Sequence, residues 1–265
     1  MILKLTLNRE DKMMRKMVFG AVLIAVLVAF SSSAQDMEGT KQMTEEDKPF
    51  LLTYSNLDEP QGRVILTNEH VVLQRLVVPA GEWEGVHSHP GNQLYVHVKG
   101  GYWSGKMAGE MVYSHELSET GSIGWMDAIA FSEGHNSGNT GEVPIDLIWI
   151  TSKSGIPLTP EKDLAPQVYP NIPLEVKLEN NLMIVQRGTI DPGQWTGPHS
   201  RSGNQIYILI KGGNLSERQE GEEAPASPFL GDGTPGWLDA TPLSEAHNFG
   251  NTGETTIDLV LITIK

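Results

Sequence analysis

Gly81-Glu82-Trp83-Glu84-Gly85-Val86-His87-Ser88-His89-Pro90-Gly91-Asn92-Gln93 returns 112 residues later as Gly193-Gln194-Trp195-Thr196-Gly197-Pro198-His199-Ser200-Arg201-Ser202-Gly203-Asn204-Gln205. The match belongs to a longer one. Residues 64–151 align with 176–263 at the same offset, without a gap, and 39 of the 88 pairs are identical. A repeat of that length is a duplicated module, and it sets the architecture before any local reading. The copies part at one chemically loaded place, where His87-Ser88-His89 becomes His199-Ser200-Arg201.

Within each copy the pattern is β. Val71 to Val78 is a β-branched run closed by Pro79-Ala80-Gly81, and Leu94 to Val98 ends at Gly100-Gly101. Ile145 to Ile150 follows the turn residues Asn139-Thr140-Gly141. Short apolar runs with regular Gly, Pro and Asn punctuation specify a sandwich or barrel. The expected fold is all-β, with two tandem antiparallel β-barrels at 50–151 and 170–265. A proline-broken linker at 152–169 joins them, since proline cannot donate to a ladder. The stretches 105–120 and 217–235 diverge most and are expected as loops near the barrel mouths.

The first 34 residues read as a secretory signal. Arg15-Lys16 precedes an uncharged run from Met17 to Phe30, and small residues lead to Ala34. The run is short of the roughly 20 residues a membrane span needs. Residues 35–49 are polar and read as a flexible leader. The expected location is therefore periplasmic or secreted, with no stable membrane anchor after cleavage. The chain has no cysteine and a formal charge of −14. Removing residues 1–34 takes away five basic and two acidic residues and leaves −17. Such a charge excludes nucleic acid as a partner, because that binding neutralises phosphates. Lack of cysteine excludes disulfides and thiolate metal sites.

Spacing singles out a metal site in the first copy. On a strand His87 and His89 face the same way, Pro90-Gly91-Asn92 turns the chain, and Gln93 returns on the next strand. His135 arrives on a later one. Three imidazoles and one side-chain oxygen can surround a divalent transition ion. The run Gly81-x5-His87-x-His89-x3-Gln93-x6-Gly100, followed by Gly124-x5-Ala130-x-Ser132-x2-His135-x3-Asn139, resembles the two motifs of the cupin family. Gln93 stands where that family has glutamate, Ala130 where it has proline and Ser132 where it has glycine. Both repeats, about two-thirds of the chain, share the spacing, so the whole resembles a bicupin. His87-Ser88-His89-Pro90-Gly91-Asn92-Gln93 is also similar to the metal run of small manganese hydroxynitrile lyases. The resemblance implies one ion on His87, His89, Gln93 and His135, with Mn or Fe favoured and Zn, Ni, Co or Cu compatible. It also implies a homodimer through the sheets.

In the second copy His199, Gln205 and His247 keep their places, but Arg201 stays protonated and cannot ligate. That site is expected to be degenerate. His97, opposite Leu209, is the candidate acid or base, and Glu133 and Glu245 are candidates to stand behind the third histidine. Trp83, Trp125, Tyr95 and their repeat partners read as packing. Two functions remain open: a metal-dependent dioxygenase or lyase acting on a small oxygenated or anionic molecule, and a non-catalytic ligand-binding or structural cupin. Oxalate decarboxylation is disfavoured, because both motif glutamates are absent.

Overall fold

The computed structural model describes residues 44–54, 62–110, 114–153, 164–219, 222–242 and 247–265. The expected signal segment, most of the leader and residues 154–163 of the connection lie outside them. The first half carries β1 (Thr53–Tyr54), β2 (Arg63–Thr67), β3 (Val71–Val78), β4 (Trp83–Ser88), β5 (Gln93–Lys99), β6 (Gly101–Lys106), β7 (Glu116–Ser118), β8 (Ile123–Met126), β9 (Asn136–Asn139) and β10 (Ile145–Ser152). The second carries β11 (Glu175–Glu179), β12 (Met183–Ile190), β13 (Gln205–Lys211), β14 (Leu215–Gln219), β15 (Pro235–Leu238), β16 (His247–Asn251) and β17 (Ile257–Ile264). In the first half the sheets run β1-β4-β9-β6-β7 and β2-β3-β10-β5-β8; in the second they run β11-β12-β17-β13-β15 and β14-β16. The corresponding large sheets have the same order, so the halves repeat in topology as they do in sequence.

The central strands bury both faces, which is why they read as continuous apolar runs. Along β10 Ile145, Leu147 and Trp149 point into the first barrel. Ile148 and Ile150, on the other face, pack with Ile206, Ile208, Val260 and Ile262 of the second half. One apolar seam thus joins the two large sheets. Its rim is nearly two-fold symmetric. Arg75 holds Asp146 at 2.9 and 2.6 Å and donates to the Asp232 carbonyl of the other half at 3.1 Å. Arg187 holds Asp258 at 3.0 and 2.7 Å and donates to the Gly121 carbonyl at 3.0 Å. Each member of one set lies 112 residues from its counterpart, apart from the accepting carbonyls, which come from adjacent positions of the same turn. Self-complementary contacts of this kind characterise a two-fold interface.

The expected boundaries shift for a physical reason. The leader does not stay free to residue 49, because Asp47 is buried beneath the first barrel. Its carboxylate accepts from Lys153 Nζ at 2.6 Å, Thr67 Oγ1 at 2.8 Å and the Thr44 amide at 2.9 Å. The linker expected at 152–169 is also shorter, since Ser152 closes β10 and Tyr169 lies in the second core. Here the repeat extends beyond its ungapped part. The Leu52 amide donates to Gln74 Oε1 at 2.9 Å, and the Gln167 amide donates to Gln186 Oε1 at 2.7 Å. Tyr54 and Tyr169 then lie over His87 and His199, at ring separations of 4.9 and 4.4 Å. These pairs are offset by 115 residues rather than 112.

Two measurements check this account. Ile208→Ala, at the seam, is expected to cost about 2–5 kcal/mol. Because the seam belongs to both barrels, circular dichroism and tryptophan fluorescence should follow one shared urea transition. Burial alone would raise the Asp47 pKa, but bonds from Lys153, Thr44 and Thr67 outweigh it and hold it at about 2, below the ordinary 3.8. A depressed folded pKa stabilises above the unfolded value and loses that contribution as pH falls through the folded one. Asp47→Asn should therefore be less stable than the parent at neutral pH, with the difference in urea midpoint closing between pH 4 and 2.

Candidate metal centre

His87 lies near the end of β4, and His89 follows it, bridged to Ile129 of the chain leading to His135. The three ring centroids are 4.8 to 5.2 Å apart, and one nitrogen from each ring falls within 4.8 Å of the others. His87 and His89 are 1% and 3% exposed. Burial keeps them neutral, pulling His87 down to about 3 and His89 to about 4, and it lowers His135 in the same direction. Neighbours fix which nitrogens face inward. His87 Nδ1 donates to the Gly85 carbonyl at 2.9 Å, so its Nε2 carries a lone pair. His89 Nδ1 donates to Gln93 Oε1 at 2.8 Å, and His89 Nε2 is buried with no hydrogen-bond partner. Neutral imidazoles held by a second hydrogen bond and presenting lone pairs to one point suit a metal. His135 Nε2 lies 3.0 Å from Ser137 Oγ, one contact that competes with an ion for that nitrogen.

Gln93, expected as a ligand, makes two buried side-chain hydrogen bonds. Its oxygen is taken by His89 and its Nε2 donates to Thr151 Oγ1 at 2.9 Å, so it orients His89. Gln205 repeats the second bond, to Thr263 at 3.1 Å. Anchoring to an identical threonine accounts for glutamine in both copies, whether or not a metal is held.

The structure brings in a residue that sequence reasoning missed. The Glu84 side chain is 3% exposed, with Oε2 at 3.5 Å from His87 Nε2. Tyr54 Oη donates to that oxygen at 3.2 Å, while Oε1 has no hydrogen-bond partner. Burial raises its pKa to about 8, against the lowering from Tyr54. Strict alternation would put positions 84 and 87 on opposite faces. Gly85 breaks the alternation: its φ is +84° and the ladder slips a register between Trp83 and Gly85. A bulge of this kind re-aims a side chain. The available signal was the repeat itself, in which an acid at 84 faces Thr196 beside a glycine kept in both copies.

His97, the candidate acid or base, is buried inside the barrel with ring contacts to Tyr95 and Trp103. Trp149 lies against His89 at 4.9 Å, Tyr95 against Trp149 at 5.3 Å and His97 against Tyr95 at 5.6 Å. Burial lowers His97 to about 4, so it is neutral at physiological pH. His97 Nε2 and Trp149 Nε1 are both buried without hydrogen-bond partners. Glu133 is exposed and accepts the Ala130 amide at 2.9 Å, capping the turn before His135. Glu245 lies outside the described residues.

In the second barrel the same place holds a guanidinium. Arg201 is 7% exposed, and its Nε donates to the Asp239 carbonyl at 2.9 Å and Nη2 to Thr241 Oγ1 at 2.9 Å. Its Nη1 bonds His247 Nε2, and the His247 ring lies 4.5 Å from that of His199. A fixed organic cation thus occupies the position of an ion. The surrounding walls have lost their polarity in step. Glu84, His97, Trp103, Ser137 and Trp149 correspond to Thr196, Leu209, Leu215, Phe249 and Leu261. Those five line the apolar cavity of the second barrel together with Tyr169 and Tyr207.

No protein-family model matches the chain, and no curated protein matches its sequence. Solved structures do match in fold. AerE from Microcystis aeruginosa is similar with a TM-score of 0.54 and 15% identity, over 81% of this chain and 97% of that one. The oxalate decarboxylase formate complex of Lactobacillus farciminis gives 0.53 and 10%, over 86% and 88%. A cupin 2 conserved barrel domain protein from Leptotrichia buccalis gives 0.47 and 14%, over 80% and 92%. At such identities the likeness is one of architecture, and the chain has the fold of a bicupin: two tandem antiparallel cupin barrels.

Proposed function

We propose that this chain is a periplasmic or secreted metalloprotein whose first barrel holds one divalent transition ion and acts on a small oxygenated or anionic molecule. The observation that carries this reading is the convergence of His87, His89 and His135 as neutral imidazoles, with His89 Nε2 buried and unpartnered. A buried polar atom without a partner calls for one. The donor set fits the group, since imidazole nitrogen suits Fe, Mn, Zn, Ni, Co and Cu. Oxygen in the neighbouring carboxylate favours Mn or Fe among them.

When bound, such an ion supplies Lewis-acid polarisation of a substrate oxygen. The chain's own groups supply the rest. Gln93 holds the His89 ring by a bond to Nδ1, and the Gly85 carbonyl does the same for His87. Trp149, whose ring lies 4.9 Å from that of His89, keeps a buried uncommitted N–H donor, which supports a ligand that carries oxygen. His97 Nε2 is a further uncommitted polar atom deeper in the barrel. These groups fit an oxygen-rich small molecule better than an apolar one. Reaction of dioxygenase or lyase type is consistent with this ligand set, and the second barrel serves as the packing partner of the first.

The test is metal content by plasma mass spectrometry of the purified chain and of His87→Ala, beside a screen of small carboxylates and phenols with and without oxygen. About one ion per chain is expected, falling to near none in the variant, with turnover that disappears alongside it. An unaltered metal content in His87→Ala, or turnover that survives the loss, contradicts the reading.

A further inference from the structure

The two barrels differ at their walls as well as in their interiors. In the first, β6 pairs with β9 and sets Gly105 opposite Ser137; in the second, β14 pairs with β16 and sets Glu217 opposite Phe249. Positions 105 and 217 are thus the same place in the fold, 112 residues apart. Alternation along β6 turns position 105 to the same side as Trp103, whose ring lies 6.3 Å from that of His97 inside the barrel. Glycine leaves a gap there. Among the described residues only His135 comes within 4 Å of where a Cβ at 105 would stand, with its Cε1 at 3.8 Å.

The second barrel shows how far such a gap reaches, because a glutamate fills it. The Glu217 side chain is 48% exposed, yet its Oε1 stands 3.7 Å from His247 Nε2 and 3.9 Å from Arg201 Nη2, atoms of two buried residues. A side chain that meets solvent and also reaches that buried pair marks a passage through the wall. Exposure of the third histidine follows the difference. His247, behind Glu217, is buried, whereas His135, behind Gly105, is only half-buried; His87 and His89 are as deeply buried as His247.

We propose that the gap over Gly105 is the entrance to the first barrel, and that residue 105 sets the size of what reaches the histidines. The molecule it admits is small and polar, with a leading group no bulkier than a carboxylate, since a carboxylate on two methylenes fills the same passage in the second barrel. Glu217 is by the same account a plug. The inference rests on the first barrel as the one that takes a ligand, and its test needs no metal.

The experiment uses the full chain, stripped with chelator and treated with diethyl pyrocarbonate, which transfers its ethoxycarbonyl group to a neutral imidazole nitrogen. Peptide mass mapping reads the rate at each histidine separately. In the parent, His135 is expected to react faster than His87, His89 and His247, with the exposed His115 as reference. Gly105→Gln adds bulk without charge, at a backbone position outside the left-handed region. It is expected to slow His135 about ten-fold, because a covered group reacts only through local opening, and to leave His115 unchanged. Glu217→Gly is the converse variant and decides should Gly105→Gln not fold: His247 is expected to react about ten-fold faster. An unchanged His135 rate in folded Gly105→Gln overturns the entrance, as does an unchanged His247 rate where Glu217→Gly stands in. Metal content of the parent chain decides the metal reading separately, so the two can fail independently.

Discussion

The apolar seam between the two large sheets is the constraint on which the rest depends. Because β3, β5 and β10 give one face to β12, β13 and β17, only their other face remains for the interior of the first barrel. Gln93, Tyr95 and His97 therefore project inward together, while Leu94, Val96 and Val98 hold the seam. Burial of both faces makes the strands rigid and dry. That dryness keeps the histidines neutral and makes the Glu84 carboxyl expensive. The two large sheets are joined face to face within one chain, with Arg75 and Arg187 closing the rim by equivalent bonds.

Much of this was legible from the repeat. An ungapped offset of 112 announced two copies of one fold, and the punctuated apolar runs announced strands. His87, His89 and His135 come together because strand parity and motif spacing operate on backbone geometry that is regular at those positions. The failures occur where the backbone is irregular or where hydrogen bonds compete. Glu84 was hidden because a one-residue bulge at Gly85 inverts the parity by which it would be assigned to the opposite face. The hydrogen bonds of Gln93 were not legible because spacing gives the face of a side chain and not its partners. His97 shares the inward face and packs against Tyr95, which packs against Trp149; which rings a side chain meets is not a periodic signal. Asp47 could not be anticipated from a polar stretch, since its burial depends on Lys153, more than a hundred residues away.

The two interiors show how one scaffold supports opposite electrostatic solutions. Inward-facing imidazole lone pairs call for a hydrogen-bond donor or a cation. The first barrel keeps three neutral imidazoles together and surrounds them with polar groups: a carboxyl, an indole N–H and a hydroxyl. The second covalently supplies the charge as Arg201, whose guanidinium bonds His247, Thr241 and the Asp239 carbonyl. Glu217 lies 3.9 Å from that guanidinium and 3.7 Å from His247, while leucine and phenylalanine fill the positions of His97, Trp103, Ser137 and Trp149. The second interior has thereby become a hydrophobic core that buttresses the seam from behind. Retention of His199 and Gln205 there follows from local bonds to the Gly197 carbonyl and Thr263, which hold with or without a metal. Residue identity between the copies therefore tracks structure, and the differences between them track chemistry. By that criterion the positions that matter to function are those where the first copy bears a polar group and the second an apolar or oppositely charged one. His97 and Trp149 satisfy it, opposite Leu209 and Leu261; Glu84 and His89 differ otherwise, opposite Thr196 and Arg201.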